Sequence, residues 1–418
     1  MSSIQLIDPT QIPHWDTLIS RHSNANPFHS SGWARVLRDT YGFTPYYACV
    51  FKGDTLSTCL PLMEVNSFLT GKRGVSLPFT DFCEPLLNGT TPYRDLLEFA
   101  VNFGNERRWK YLELRGSEFS TIPRDGRRKM EDGSNCLASA EGEGRWKRED
   151  GRKGTDNLNI PIFQHSNIPS SHSSSDSLAI GPDASRSALC APRPAPCALR
   201  SYSHHLLDLS IETERLFKNL RASTRRNIRK AEKEGVTVRF STDLEAVKIY
   251  FRLHCLTRKR HGVPSQPWAF FENIHKNLIA FGQGFVALAV YQGNAIAGAV
   301  FLTLGDRAIF KFGASDSRYH SVRPNNHVMG EAIRRLAEDG FMTLSFGRTD
   351  PENQGLIQFK SGWGPMEERL DYSRYDFSKQ DFISGNGKGP AGYEKVFQKL
   401  PEPALRLMGK VLYRHFGS

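Results

Sequence analysis

The feature that most limits how this chain can fold is a long stretch of low complexity near its middle. From Gly116 to Ser201 the sequence is rich in Ser, Gly, Arg, Asp and Pro, and its apolar residues show almost no periodicity. Such a composition buries too little apolar surface to offset the entropy lost on ordering the chain. We therefore predict a disordered insertion at 116–201 between folded units at 1–115 and 202–385, with a regulatory or docking segment as the alternative.

Both flanking units alternate short apolar runs with amphipathic stretches. In the first unit, two runs flank Lys52-Gly53-Asp54, a composition typical of a hairpin turn. In the second, the apolar stretch Phe285–Leu302 is interrupted by Tyr-Gln-Gly-Asn, which favours a hairpin over a membrane span. This order of helices, hairpins and strands predicts the α/β (α+β) class, with a mixed β-sheet flanked by helices in each unit.

The overall charge points to an acidic partner. The formal net charge is +11 and the isoelectric point is near 9.3, values that favour phosphates, nucleic acid or an anionic membrane surface. The seven cysteines show no CxxC pair, so we expect free thiols in a reducing compartment. Residues 1–15 lack the charged and apolar regions of a signal peptide, which predicts a cytoplasmic protein that is either free or peripheral at the inner membrane face.

Two basic amphipathic segments stand out. Arg221, Arg225 and Arg229 are spaced four apart, so a helix here presents a basic face suited to a polyanion, unless it is simply solvated. The C-terminal tail, 386–418, repeats the pattern and carries Leu, Met and Val on another side. We expect the tail to pack on the protein core, with an anionic membrane as the alternative. Its cations at this spacing are Arg406, Lys410 and Arg414.

Phe346–Gly364 is too rich in glycine and charge to read as a packing element. It predicts a loop at a strand end that lets backbone approach a ligand, with an ordinary surface loop as the alternative. Its candidate functional residues are Arg348, Asp350, Glu352, Asn353 and Lys360. Strand ends of the first unit supply further candidates for a cleft between the units, namely Lys72, Arg73, Asp81 and Arg115. The histidines show no metal-ligand spacing, so we predict no metal.

Three groups of residues in the second unit together resemble a known family. They are Leu220-Arg221 with Arg225 to Ala231, Tyr319-His320 with Arg323-Pro324-Asn325, and Phe346-Gly347-Arg348 with Glu352-Asn353, Gly355-Leu356, Phe359-Lys360 and Trp363-Gly364. They look like the FemAB-like branch of the GNAT acyltransferase superfamily, the peptidoglycan-bridge aminoacyltransferases and their relatives. The resemblance implies tandem GNAT-like domains that transfer an acyl group to an amine without a covalent enzyme intermediate.

The resemblance also implies roles for the candidate residues. Lys360 matches a lysine at the substrate channel, where it would stabilise charge or contact the acceptor, with a structural salt bridge as the alternative. Asp350 and Glu352 would accept the amine proton, or would only form the turn. Phosphate or carboxylate contacts would come from arginines and a neighbouring amide, because arginine binds such groups through two parallel hydrogen bonds. These residues are Arg323, Arg348, Arg225, Arg229 and Asn353.

The acyl donor stays open between aminoacyl-tRNA and acetyl-CoA. Coenzyme-A-binding GNAT domains place a glycine-rich turn before the central helix, whereas Ser321–His327 contains no glycine and Pro324 removes one amide donor. The expected acceptor is a nucleotide- or lipid-linked sugar or peptide of a peptidoglycan or polysaccharide precursor. Two alternatives remain: an acetyl-CoA-dependent N-acetyltransferase, and a non-catalytic RNA- or membrane-binding protein on a GNAT scaffold.

Overall fold

The computed structural model describes residues 4–87, 93–116, 197–385 and 394–416. The predicted insertion at 116–201 therefore lies mostly outside the described residues. Its predicted end is wrong, because a regular strand already begins at Ala198. Ser201 therefore lies within this strand, which runs from Ala198 to Asp208.

Within residues 4–87 and 93–116, the first half contains two groups of strands and three α-helices. Its strands are β1 (Gln5–Ile7), β2 (Thr44–Pro45), β3 (Tyr47–Lys52), β4 (Thr55–Leu60), β5 (Met63–Ser67), β6 (Gly71–Val75), β7 (Leu86–Leu87) and β8 (Tyr111–Arg115). Its helices are α1 (Trp15–Ser20), α2 (Ser31–Tyr41) and α3 (Tyr93–Glu106). The Ser30 hydroxyl caps α2 by accepting a hydrogen bond from the Trp33 amide.

The second half supplies the longer strands. They are β9 (Ala198–Asp208), β10 (Thr237–Ser241), β11 (Gly284–Tyr291), β12 (Asn294–Leu304), β13 (Arg307–Ser315), β14 (Thr343–Thr349), β15 (Met366–Asp376) and β16 (Asp381–Phe382). Its helices are α4 (Thr213–Asn219), α5 (Ala222–Lys233), α6 (Leu244–Arg260), α7 (Trp268–Asn277), α8 (Pro324–Glu338), α9 (Gln354–Ser361), α10 (Glu394–Lys399) and α11 (Glu402–Phe416). The predicted hairpin within Phe285–Leu302 is confirmed as β11 and β12.

One continuous sheet joins the two halves. Its order is β10-β11-β12-β13-β14-β9-β15-β8-β6-β5-β2, and β1, β3, β4 and β7 form a separate sheet. Strand β15 makes the connection, because Met366 pairs with Leu206 of β9 while Tyr372 pairs with Arg115 of β8. The prediction of mixed sheets flanked by helices is confirmed, and the predicted units are fused along β15.

The halves also share an apolar core. Helix α2 packs on α7, where the Trp33 and Phe270 rings meet edge to face with centroids 6.0 Å apart. Phe79 of the first half lies against both Phe270 and Tyr413 of α11. Because apolar side chains from both halves are buried together, separating the halves would expose this surface to water.

One predicted segment differs from the structure, and another agrees with it. Phe346–Gly364 is not a loop throughout, since Gln354–Ser361 forms α9 and Trp363 is buried. The Asn353 side chain starts this helix by accepting a hydrogen bond from the Leu356 amide, and that cap offsets the glycine at position 355. The C-terminal tail packs on the protein, as expected: Leu405 and Tyr413 are buried.

Gly409 explains how α11 comes so close to the body of the protein. A Cβ at this position would lie 1.8 Å from the Ser265 carbonyl oxygen, so only glycine fits there. No helix within the four described ranges is both long enough and apolar enough to cross a membrane.

Candidate functional site

Strands β13 and β14 separate after a short parallel pairing, and charged groups fill the opening. The pairing covers Arg307–Ile309 against Thr343–Ser345, although both strands continue beyond it. Lys311 and Gly347 each lie two residues past the last pair. The gap between them, which we call the wedge, also receives Asp81 from the first half and Lys360 from α9.

Gly347 forms the backbone turn in the middle of the wedge. Its φ is +68°, a left-handed conformation that side chains disfavour. A Cβ here would lie 3.0 Å from the Asp81 carboxyl group, so the glycine also allows Asp81 to approach. The Gly347 amide donates to the Ser345 hydroxyl at 3.0 Å, and the same hydroxyl bonds His204 Nε2 at 2.8 Å. The turn is therefore fixed on both sides.

Lys360 binds the other side of this turn. Its Nζ donates to the carbonyl oxygens of Gly347 at 2.9 Å and Arg348 at 3.1 Å, and the side chain is fully buried. Burial lowers the pKa of Lys360 to about 7; the Asp81 carboxylate opposes this shift, and the Arg348 and Lys311 cations reinforce it. Lys360 can therefore be charged or neutral near neutral pH, a property common among catalytic groups.

Asp81 forms a completely buried ion pair with Lys311. The Lys311 Nζ lies 2.9 Å from Asp81 Oδ2, and neither side chain is exposed. Burial lowers the pKa of Lys311, whereas the Asp81 carboxylate raises it. The rings of Phe28, Trp33 and Phe312 surround the ammonium at 5.0, 5.8 and 5.2 Å from their centroids. Asp81 therefore lies beside the Lys311 ammonium, away from solvent, and it also interacts electrostatically with Lys360.

Arginines and tyrosines form the wall of the wedge. The Arg348 guanidinium stacks on the rings of Tyr202 and Tyr372, 4.6 and 5.0 Å from their centroids. The Tyr372 hydroxyl donates to the Asp81 carbonyl at 2.6 Å and so fixes the backbone that carries Asp81. Arg115 lies 5.2 Å from the Tyr372 ring centroid.

Arg115 is held too firmly to be a free ligand-binding group. It donates to Glu113 and to the carbonyl oxygens of Leu77 and Thr80. Burial alone would raise the pKa of Glu113, but Arg115 and Arg374 outweigh it and lower that pKa to about 2. Glu113 is therefore ionised at physiological pH, and its ion pair with Arg115 supports the wall.

His205 lies close to the same charges. Its ring is completely buried, and burial together with the Lys360 ammonium lowers its pKa to about 4. A neutral imidazole next to Lys360 results. Glu367 Oε2 lies 3.8 Å from His205 Nε2 and is half exposed.

The wedge brings together four predicted residues from both halves and leaves others elsewhere. The four are Asp81, Arg115, Arg348 and Lys360. Asp350 instead forms an ion pair with Arg200 and accepts from the Glu352 amide, so the turn-forming interpretation fits it better than a catalytic role. The Glu352 side chain is exposed, and Asn353 serves as the helix cap described above.

Lys72 and Arg73, the other two predicted cleft residues, contact groups outside the wedge. Lys72 Nζ lies 3.9 Å from Glu64. Arg73 is buried and donates to the His415 carbonyl at 2.7 Å and to the Thr70 hydroxyl, which ties α11 to the β5–β6 hairpin. The sequence around Arg73 does not indicate that its partner, His415, lies 342 residues away along the chain.

The remaining predicted arginines lie away from the wedge. Thr224, Ile228 and Ala231 bury one side of α5, which leaves Arg225 and Arg229 exposed on the other. Arg323 precedes α8 in a left-handed conformation (φ +56°). Its Nε is buried and has no hydrogen-bond partner among the described residues.

Sequence reasoning missed Lys311, His205, Tyr202 and Tyr372. A signal existed for Lys311, because it is a lone charge within the otherwise apolar run Ala308–Ala314. Sequence reasoning also missed a group of possible metal-ligand side chains between α5 and α8. Glu232, His327 and Glu331 place one ligand atom each within 4.8 Å of one another, and Glu331 already pairs with Arg334. The absence of a metal stays a prediction.

The chain is similar to known proteins in part of its sequence and in its fold. A family profile described as "Acetyltransferase (GNAT) domain" matches residues 218–361, which include α9 and Lys360. Lipid II:glycine glycyltransferase from Staphylococcus epidermidis is 33% identical over 79 residues, and the Staphylococcus aureus protein is 30% identical over 79 residues. Each match covers 18% of this chain and 19% of the relative, so the chain matches about a fifth of these relatives' length.

A solved structure extends the likeness to the whole fold. The crystal structure of FemX superposes with a TM-score of 0.58, covering 90% of this chain and 98% of that chain at 14% identity. At this identity the likeness concerns the fold alone. Together with the matched profile and the glycyltransferase segment, it confirms the resemblance to the FemAB-like branch.

Proposed function

We propose, from the premise that this chain carries a GNAT acyltransferase domain of the FemAB-like branch, that it transfers an aminoacyl or acyl group to an amine of a peptidoglycan precursor. The observation that carries the proposal is the wedge. There, a lysine with a pKa near 7 lies beside a buried carboxylate, at a point where both halves of the protein meet.

Lys360 would stabilise the charge that develops on the reacting carbonyl. When the amine nitrogen attacks the acyl carbon, a negative charge forms on the carbonyl oxygen, and a fixed cation in a water-poor site stabilises it. The two backbone carbonyls that accept from Nζ hold the ammonium in place. The charged form of Lys360 is therefore the active form in this proposal.

Asp81 would take the proton that the attacking amine loses. The new carbon–nitrogen bond replaces the ester or thioester bond of the donor, and the proton passes through the carboxylate to the leaving oxygen or sulfur. The Lys311 ammonium, 2.9 Å from Asp81 Oδ2, would favour the ionised carboxylate before the reaction. Since Asp81 and Lys360 are fully buried, substrate binding has to open the wedge, and Arg348 forms the wall that would move.

For the donor, we favour aminoacyl-tRNA. The exposed cations of α5 suit a polyanion, and α5 packs directly on α8 and contacts α9 through Arg221, which donates to Ser361. Acetyl-CoA is the second candidate. It is supported by the acetyltransferase profile and by Arg323 Nε, a buried donor without a partner among the described residues at the start of α8.

A transfer assay with crossed substrates tests the proposal. Purified protein is offered aminoacyl-tRNA or acetyl-CoA as donor, and a nucleotide-linked or lipid-linked muropeptide as acceptor. We expect transfer from aminoacyl-tRNA that Lys360→Met abolishes and that Lys52→Met, an exposed-lysine control, leaves unchanged. Transfer from acetyl-CoA alone would support the second candidate, and full activity of Lys360→Met would exclude the proposed site.

A further inference from the structure

The β5–β6 hairpin and the outer face of α11 together expose an unusual amount of apolar surface. Phe68 is 84% exposed and Leu69 53%, while Leu407 is 64% exposed and Val411 50%. Large apolar side chains exposed together usually mark a contact surface, whereas isolated ones need no explanation.

His415 connects the two elements. Its ring packs edge to face on Phe68 with centroids 4.5 Å apart, and its Nδ1 lies 3.1 Å from the Ser67 hydroxyl. The His415 carbonyl oxygen accepts from Thr70 Oγ1 at 2.8 Å and from the buried Arg73 at 2.7 Å. The hairpin tip and the end of α11 are therefore fixed against each other. Nothing in the wedge uses these contacts.

Helical geometry places the apolar side chains next to that junction. At 100° per residue, Leu407 and Val411 lie on one face of α11, and His415 follows Val411 by one turn. Arg406, Lys410 and Arg414 are all exposed and border this face on the side away from the hairpin. The surface formed by Phe68, Leu69, Leu407, Val411, Lys410 and Arg414 is called the platform below.

The charge of the platform selects its occupant. From residue 403 to residue 416 the sequence contains no acidic residue, so α11 offers cations and apolar groups side by side. Across the β5–β6 turn, Lys110 is exposed and its side chain lies over Gly71. An anionic bilayer surface matches this mixture, because its headgroups pair with cations while apolar side chains enter the acyl boundary. The stretch 117–196 carries as many acidic as basic residues and offers no such complement.

We infer that the platform docks this protein on an anionic lipid bilayer. The surface is preformed, since buried Arg73 and His415 fix both of its elements. The inference rests on the proposed function only for the role of docking, which would bring the wedge to a lipid-linked acceptor. The binding itself depends on the platform alone.

Vesicle sedimentation of the full chain tests the inference. Vesicles of phosphatidylcholine with phosphatidylglycerol should bind the protein, whereas phosphatidylcholine alone should bind it weakly. Lys410→Glu/Arg414→Glu should weaken partition by at least about tenfold, since each cation near an anionic surface contributes roughly fivefold. Leu407→Ser/Val411→Ser and Phe68→Ser should each weaken it by about tenfold through lost apolar burial.

Matched controls separate the platform from general charge and hydrophobicity. Phe281→Ser removes another phenylalanine, 75% exposed, outside the platform, and Arg252→Glu/Lys276→Glu makes the same change of charge elsewhere. Both should partition like the parent protein. Equal losses in controls and platform variants would overturn the inference, as would failure of the parent protein to bind anionic vesicles. An unchanged unfolding midpoint confirms that each variant is folded.

Transfer assays distinguish this inference from the proposed function. Platform variants should retain transfer to a soluble nucleotide-linked acceptor and lose at least about tenfold with an acceptor embedded in vesicles. Vesicle binding without transfer to any acceptor would leave the inference standing and contradict the proposed function. Transfer without vesicle binding would contradict the inference and leave the proposed function standing.

Discussion

Breaking the buried pair between Asp81 and Lys311 should destabilise the protein far more than breaking an exposed pair. The two side chains are 2.9 Å apart and fully buried, and three aromatic rings surround the ammonium. Lys311→Met leaves the Asp81 carboxylate buried without this partner. Removing one member of a buried pair typically costs about 3–5 kcal/mol. We expect about 3 kcal/mol here, because Lys360 interacts with Asp81 and compensates in part.

A double-mutant cycle turns this expectation into a measurement. Asp81→Asn, Lys311→Met and the double variant are unfolded in urea, and the free energies of unfolding are compared. The double variant should lose less than the sum of the single losses, by about 2 kcal/mol, because neither member of the pair is left as a buried charge without the other. The pair Lys248–Glu245, which is 3.1 Å apart but exposed, is the control and should give a coupling below about 1 kcal/mol. Single losses below about 1 kcal/mol, or losses that simply add, would refute the buried pair.

Three further predictions concern the wedge and the basic helix. Gly347→Ala should lower the free energy of unfolding, measured in urea, by about 1–3 kcal/mol, because an alanine is strained at this left-handed φ and its Cβ crowds Asp81. Gly340 also has a left-handed φ but has open space around it, so Gly340→Ala should cost less. Burial holds the pKa of Lys360 at about 7 in the folded state. Between pH 7 and about 10, Lys360 is therefore protonated in the unfolded chain but mostly neutral in the folded protein. The free energy of unfolding should consequently rise with pH by up to about 1.4 kcal/mol per pH unit in that window. Lys360→Met should remove that part of the slope, and identical slopes would contradict the shifted pKa. Arg225→Ala/Arg229→Ala should reduce the slope of log binding constant for RNA against log salt concentration by roughly one to two, without changing the unfolding midpoint. An unchanged slope would show that these α5 arginines do not contact the tRNA.

The sequence predicted the fold class well because periodicity reports on local structure. It singled out Asp81 and Arg115 at strand ends, Arg348 in a polar loop and Lys360 through the family resemblance, and the structure places all four at the wedge or its wall. It could not assign their partners. Lys311 lies 230 residues from Asp81 along the chain, and only the parting of β13 and β14 brings the two together.

Tertiary contacts decided the structure at other positions, and the sequence did not show them. Arg73 looked like a ligand-binding residue at a strand end, but it stabilises α11 through the His415 carbonyl. The segment around α9 looked like a loop because of its glycines, while the Asn353 cap and the burial of Leu356 and Trp363 favour a helix. The fusion of the two halves along β15 was equally invisible, since strand periodicity does not identify a strand's neighbours.

The measurement that tests the central claim most directly is the pH dependence of single-turnover transfer. Aminoacyl-tRNA and a muropeptide acceptor are mixed with the parent protein, Lys360→Arg and Lys360→Met across pH 6 to 9. If the charged form of Lys360 stabilises the oxyanion, the parent rate should fall as the pH rises through about 7, where Lys360 loses its proton. Any activity that Lys360→Arg retains should not fall there, since arginine stays charged, and Lys360→Met should be inactive. A parent rate that instead climbs through pH 7, or a Lys360→Met rate equal to the parent's, would contradict the account.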